Sequence, residues 1–135
     1  MIRNCLESDL SRIAEIYNRV FNDSSALETI LPLFVTQRVR VLTDETQLVV
    51  AFYIGTNGNY LHTLAVDEPY QRRGYGRLLL NDWIGSTVPG TKQSLRVRTT
   101  NYHAIILYTS VGYRVEYFIK NYYGNGVDAY EMIRA

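Results

Sequence analysis

The segment Gln71-Arg72-Arg73-Gly74-Tyr75-Gly76-Arg77 constrains this chain more than any other. It follows a strand-like run, Tyr60–Val66, and opens a helical run, Gly74–Thr87, whose apolar positions include Leu78, Leu79 and Trp83. Glycines let the backbone turn tightly and leave its N–H groups uncovered. Those groups, with the first turn of a helix, form a cradle for an anion. Arg72, Arg73 and Arg77 add positive charge around it. The segment is not a Walker A loop, because no Lys-Ser/Thr ending follows. Nor is it a dinucleotide fingerprint, because Leu79 stands where the third glycine belongs. Taken alone, it fits either a structural turn or an anion site.

The pattern on either side narrows the fold class. Ile2–Leu6 reads as an opening strand and Ser8 as the cap of a helix carrying Leu10, Ile13, Tyr17, Val20 and Phe21 on one buried face. Ser25-Ala26-Leu27-Glu28 resembles a capping box for a second helix, which Pro32 should break early, leaving an irregular piece through Val35. Arg38–Leu42 and Gln47–Ile54 read as strands, and Gly55 to Asn59 as a turn in which Asn57-Gly58 is a strong hairpin signal. After the glycine turn and its helix come a strand, Gln93–Val97, a helix, Asn101–Val111, ended by Gly112, and strands Tyr113–Ile119 and Val127–Ile133. This alternation predicts an α/β fold whose second half pairs in largely parallel fashion.

Composition removes several function classes. The 135 residues suit one domain, and 47% hydrophobic content suits one core. A net charge of +1 argues against a simple electropositive nucleic-acid binder. The charge is uneven: residues 1–71 carry net −4, whereas residues 72–98 carry net +5. That basic middle suits a phosphorylated ligand, or simply a solvated helix face. Cys5 is alone, which excludes an intrachain disulfide and a cysteine metal cage, and two histidines are too few for a zinc site of their own. No metal is expected. No apolar run approaches the length of a membrane span and no secretory leader is evident, so a soluble cytoplasmic protein is expected.

The chain resembles the GCN5-related N-acetyltransferase family, and the resemblance runs over residues 1–135 as one N-acetyltransferase domain. Leu64-Ala65-Val66, then Pro69-Tyr70-Gln71-Arg72-Arg73-Gly74-Tyr75-Gly76, then Leu78-Leu79 is similar to the family's acetyl-CoA motif. Asn101-Tyr102-His103-Ala104 through Leu107-Tyr108, followed by Gly112-Tyr113, is similar to its Asn-x-x-Ala…Leu-Tyr…Gly-Phe/Tyr block. Asn121-Tyr122-Tyr123 with Asp128-Ala129-Tyr130-Glu131-Met132 resembles the C-terminal strands of ribosomal-protein alanine and protein N-terminal acetyltransferases.

The resemblance implies a mixed, strongly twisted sheet of six to seven strands flanked by about four helices, with Tyr60–Val66 and Gln93–Val97 splaying apart to admit acetyl-CoA. Leu64, Ala65 and Val66 would offer backbone groups to its pantetheine arm. Gln71, Arg72, Arg73, Gly74, Tyr75, Gly76 and Arg77 would surround its pyrophosphate. Asn101 would contact the pantetheine as well as cap its helix, and Tyr108 would donate to the departing thiolate. Relatives carry Glu in a Leu-Glu-Val-Arg strand as the base, but here the strand is Leu95-Arg96-Val97-Arg98, and arginine cannot be a base. Tyr60 and His62, two apart on one strand, are the substitutes, and a water chain without a dedicated base is a third possibility. Arg96 would hold a substrate carboxylate or pair with Glu131 or Asp128, while Arg98 is expected on the opposite face. Tyr122 and Tyr123 would flank the amine entrance, with Glu28–Val35 as the other wall. The implied activity is direct acetyl transfer to a peptide or protein N-terminal α-amine. A small-molecule amine acceptor and a non-catalytic acyl-CoA-binding module are the alternatives. No nucleic-acid or membrane partner is implied, and either a monomer or a homodimer fits.

Overall fold

The computed structural model describes every residue from Met1 to Ala135. Its elements run β1 (Ile2–Asn4), α1 (Leu10–Phe21), α2 (Ala26–Thr36), β2 (Arg38–Thr43), β3 (Val49–Thr56), β4 (Tyr60–Val66), α3 (Tyr75–Ser86), β5 (Gln93–Arg98), α4 (Tyr102–Ser110), β6 (Arg114–Ile119) and β7 (Ala129–Arg134). All seven strands join one sheet in the order β1-β2-β3-β4-β5-β7-β6. Only β4 and β5 run parallel; every other pair is antiparallel. The expectation of largely parallel pairing is therefore corrected. The hairpin from β6 folds β7 back between β5 and β6, antiparallel to both, so the single crossover through α3 is the only parallel connection. No helix is long and apolar enough to cross a membrane.

The central strand β3 is buried at every position, because helices cover both faces of the sheet. On one side, Leu79, Leu80 and Trp83 of α3 and Tyr108 of α4 pack on Val50, Tyr53, Leu61 and Leu95. On the other, Leu10, Ile13 and Ile16 of α1 and Ala26 and Ile30 of α2 pack on Val41, Phe52, Ile54 and Ala65.

Three local expectations change. Asp9, not Ser8, organises the entry to α1: its carboxylate accepts from the Leu6 N–H at 2.8 Å and from Arg3 at 2.7 and 3.0 Å. The Arg3 hydrogen bond also holds the Asp9 carboxyl below its ordinary pKa. Ser25 makes no side-chain cap; Asp23 instead accepts from the Ser25 N–H and hydroxyl at 2.8 and 2.7 Å. Pro32 does not break α2, which continues to Thr36. An interior proline costs about 3 kcal/mol, and the complete burial of Ile30 two residues earlier helps to offset it.

The Asn57-Gly58 turn forms as its sequence predicts, with φ of 55° and 77°, the signature of a type I′ hairpin. Gly55, expected in that turn, lies inside β3 instead. A Cβ there would fall inside the Trp83 ring, which passes directly over the strand. Trp83 cannot step aside, because its indole Nε1 donates to the Tyr113 hydroxyl at 3.2 Å. Gly55→Ala is therefore expected to cost about 1–3 kcal/mol by overpacking. Urea unfolding should show a lower midpoint at unchanged slope; an unchanged midpoint would contradict this packing.

Candidate active site

Strands β4 and β5 pair only at Tyr60↔Ser94 and Leu61↔Leu95, and then separate. Each strand stays with its outer neighbour. β5 pairs with β7 along its whole length, from Gln93↔Arg134 to Arg98↔Ala129. β4 stays with β3, but its register advances between Leu61 and Thr63, so His62 has no partner across the ladder. Such a bulge bends and twists a strand locally. The result is a groove of about 1500 Å3 between the parting strands, with the facing edges of β4 and β5 left without strand partners.

At one end of the groove lies the glycine turn. Arg72 has φ of 65° and Gly74 of 84°, and Gly74 caps α3. None of the backbone N–H groups from Arg72 through Arg77 donates a hydrogen bond within the protein. The turn is therefore a row of free donors at a helix N-terminus. Gln71 orients it by donating from Nε2 to the Val66 carbonyl at 2.9 Å. Arg72, Gly74, Tyr75, Gly76 and Arg77 line the groove; Arg73 does not, because its guanidinium lies over the Tyr70 ring at 5.3 Å. Asn101 also lines the groove, and its side chain accepts from the Ala104 N–H at 3.3 Å as the cap of α4.

Just before the turn, Asp67 anchors the end of β4. Its side chain is 2% exposed and accepts from Arg12 at 2.9 Å and Arg19 at 3.0 Å, both on α1. This buried carboxylate ties the glycine turn to the opposite helix. Leu64, Ala65 and Val66, immediately upstream, line the groove as expected.

Tyr108 of α4 reaches the middle of the groove. It is buried, and its hydroxyl makes no hydrogen bond within the protein. Burial raises its pKa above the ordinary phenol value, so the hydroxyl stays protonated and available as a donor. Tyr60 is likewise raised by burial, and further by the neighbouring Tyr122. His62 projects into the groove at the bulge, with Nδ1 2.7 Å from the Thr63 hydroxyl. Although partly open to solvent, it is crowded enough by the groove walls that burial lowers its pKa.

The far end is built from β5, β7 and the loop between β6 and β7. Arg96 pairs with Glu131 at 3.1 Å and donates to the Tyr122 hydroxyl at 3.1 Å. Its guanidinium sits 4.9 Å from the Tyr122 ring centroid and 5.9 Å from that of Tyr60. Arg98, expected on the opposite face, lies on the same one and stacks over Tyr123 at 5.3 Å. The period of a strand explains this, since residues two apart share a face. The rings of Tyr122 and Tyr123 meet edge to face at 4.8 Å.

The opposite wall is also corrected. No residue of Glu28–Val35 lines the groove; the wall is Tyr17, Val20, Phe21 and Asp23 from the end of α1. Their helical spacing marks them as an apolar face, but spacing alone does not separate the core part of that face from the part overhanging a groove. His103, to which sequence reasoning gave no role, lies on the rim with Nε2 3.5 Å from Arg72 Nη2.

Comparison with known proteins bears on this geometry. A family model described as an acetyltransferase (GNAT) domain matches residues 13–134. The chain is 43% identical over 75 residues to the N-alpha-acetyltransferase RimI of Mycobacterium tuberculosis, covering 55% of this chain and 47% of that protein. The chain spans about half the length, or less, of the curated relatives it matches. Its structure superposes on the ribosomal-protein-S18-alanine N-acetyltransferase of Escherichia coli with a TM-score of 0.82 and 27% identity, covering 99% of this chain and 92% of that one. A phosphinothricin acetyltransferase of Sinorhizobium meliloti, solved in complex with AcCoA, shares the fold at 18% identity and a TM-score of 0.82, covering 99% and 86%.

The surroundings of His62 set a measurable titration. Its folded-state midpoint lies below the ordinary 6.5 because burial disfavours the charged ring. The unfolded chain thus takes up a proton first. The group's contribution to stability is full above pH 6.5 and is lost as pH falls toward the folded midpoint. NMR titration of the His62 ring should give a midpoint under 6.5; one at or above it contradicts this environment.

Proposed function

The chain belongs to the acetyltransferase (GNAT) domain family, and we propose that it transfers the acetyl group of acetyl-CoA directly to a primary amine, the N-terminal α-amine of a peptide or protein. The observation that carries this reading is the continuity of one groove, from the free N–H groups of Arg72–Arg77 to the unpartnered hydroxyl of Tyr108.

The residues fit acetyl-CoA. A diphosphate suits free backbone donors at a helix N-terminus, with Arg72 and Arg77 beside them. A pantetheine arm suits the unpaired edge of β4 at Leu64, Ala65 and Val66, with Asn101 across from it. Acetyl-CoA supplies an acyl group activated as a thioester. Tyr108 donates a hydrogen bond where a thiolate leaves, and its raised pKa keeps the hydroxyl protonated for that role. Tyr60 and His62 hold water beside the incoming amine; His62 stays largely neutral at pH 7, and Tyr60 keeps its proton. Cys5 has no part in an acyl-enzyme, because it lies away from the groove and burial pushes its thiol up to about 12.

The acceptor preference rests on the rim. Tyr122 and Tyr123, stiffened by stacked Arg96 and Arg98, offer hydroxyls suited to a peptide backbone. The likeness to N-terminal acetyltransferases supports the same acceptor. A cytoplasmic setting and a monomeric or homodimeric state belong to this proposal.

Tyr108→Phe should lower kcat by about 100-fold while acetyl-CoA binding, followed by calorimetry, stays unchanged. Thiol release with a panel of short peptides, polyamines and other small amines tests the acceptor. Turnover of peptides supports the reading. Turnover of small amines alone overturns the acceptor, and acetyl-CoA binding without any turnover overturns the enzyme.

A further inference from the structure

The amine must lose a proton before it can attack, and the side chains around the acceptor end differ sharply in their capacity to take one. An α-ammonium has a pKa near ~8. Arg96 and Arg98 are permanent cations that cannot accept a proton and that repel one. Tyr60, Tyr122 and Tyr123 are phenols, of which Tyr60 and Tyr123 are pushed further from ionisation by burial. His62 has Nδ1 engaged with the Thr63 hydroxyl at 2.7 Å, and it is more open to solvent than Glu131. Only two carboxylates line the groove, Asp23 and Glu131. Asp23 stands on the α1 wall rather than among the side chains of β5 and β7; its Oδ1 accepts both the Ser25 N–H and hydroxyl, and it has no arginine partner.

Glu131 stands differently. It lies on β7, in register opposite Arg96 on β5 and Tyr117 on β6. Its side chain is only 19% exposed. Arg96 Nε donates to Oε1 at 3.1 Å, and Oε2 accepts no hydrogen bond from a protein group. The same guanidinium, through Nη1, holds the Tyr122 hydroxyl. One arginine thus fixes the carboxylate and the rim tyrosine together, with one carboxylate oxygen left over.

We propose that Glu131 is the proton acceptor for the incoming amine, and that Arg96 is its positioning residue. This rests on the transfer reading above and deepens it. The acceptor ammonium gives one proton through water to Oε2 of Glu131, which passes it to solvent. The freed nitrogen lone pair forms the new C–N bond as the thioester C–S bond breaks. The leaving thiolate accepts the Tyr108 hydrogen bond and takes its proton, through water, from the nitrogen as the amide forms. Arg96 from β5 and Tyr117 from β6 stand in register with Glu131, and Tyr60 and His62 of β4, Arg98 of β5 and Tyr122 and Tyr123 of the loop line the same groove.

The test is kcat against pH for the full chain with saturating acetyl-CoA and an N-terminal peptide. Glu131→Gln should lower kcat at pH 7 by about 100-fold. Its kcat should then rise with pH up to the amine's own pKa near ~8, whereas the wild-type profile levels off at lower pH. Glu131→Asp keeps a carboxylate and should restore part of the rate and the wild-type shape. Arg96→Ala should raise KM and lower kcat while keeping that shape. An unchanged profile in Glu131→Gln overturns the proposal. So does an Arg96→Ala profile identical to that of Glu131→Gln, which would mean that the pair only holds the rim together. Calorimetric CoA binding checks folding. If Glu131→Gln fails to bind CoA, Glu131→Asp decides: a lowered kcat with a profile of wild-type shape supports the assignment, and an unchanged kcat overturns it. If peptides are not acetylated but a small amine is, the acceptor reading fails and the same pH series on that amine tests Glu131. Turnover of no amine overturns both.

Discussion

Everything in this molecule depends on two parallel strands parting company after only two residue pairs. A sheet normally satisfies the backbone of each interior strand on both edges. Here β4 and β5 give up that satisfaction beyond Leu61 and Leu95, at the centre of a seven-stranded sheet. The arrangement holds because each strand is secured elsewhere: β4 by β3, which is buried throughout, and β5 by β7, which pairs along its full length. The unpaired edges then face a groove in which a ligand with its own amide groups can replace the missing strand. In this sense the fold and the site are the same fact, since filling the gap with sheet would abolish the site.

The two helical layers have separate tasks around that gap. On the α3/α4 side, Trp83, Tyr113 and Gln93 form a buried chain in which the indole donates to Tyr113 and Tyr113 donates to Gln93 at 3.0 Å. Tyr108 packs edge to face on Tyr113 at 6.0 Å, so a rigid aromatic cluster sets the position of the groove's free hydroxyl. Polar groups inside a core specify position when every member is paired, and this chain meets that condition. On the other side, α1 overhangs the groove with Tyr17, Val20 and Phe21. The end of the groove at the glycine turn is built mainly from backbone, and the end at Tyr122 and Tyr123 mainly from side chains.

That division explains what could be read from the sequence. The glycine turn was legible because its geometry is local: Gly74 needs positive φ, and the helix after it supplies the free N–H groups. Tyr108 and Asn101 were legible through the motif in which they sit, and Asn57-Gly58 through its turn chemistry. The orientation of β7 was not, because local periodicity carries no information about which distant strand a segment pairs with. Pro32 misled because propensity is local, whereas the burial of Ile30 that helps to offset it is tertiary. Arg98 needed no structure at all: strand alternation already places it beside Arg96. The α1 wall was illegible for a physical reason, since a residue packing under a core and one overhanging a groove share the same helical spacing. Gly55 shows the same limit, because the Trp83 ring that requires it lies 28 positions further along the chain.

Asp67 carries a consequence for how such a chain can diverge. Its carboxylate joins two arginines of α1 to the end of β4, the strand that leads into the glycine turn. Removing one partner of a buried pair leaves an uncompensated charge, commonly at a cost of about 3–5 kcal/mol, softened here where Arg19 is half exposed. The overhanging helix and the glycine turn are thus joined through one buried carboxylate. Exchanging Tyr17, Val20 or Phe21 would reshape one wall of the groove alone, whereas altering Arg12 or Arg19 would disturb that wall and the glycine turn together.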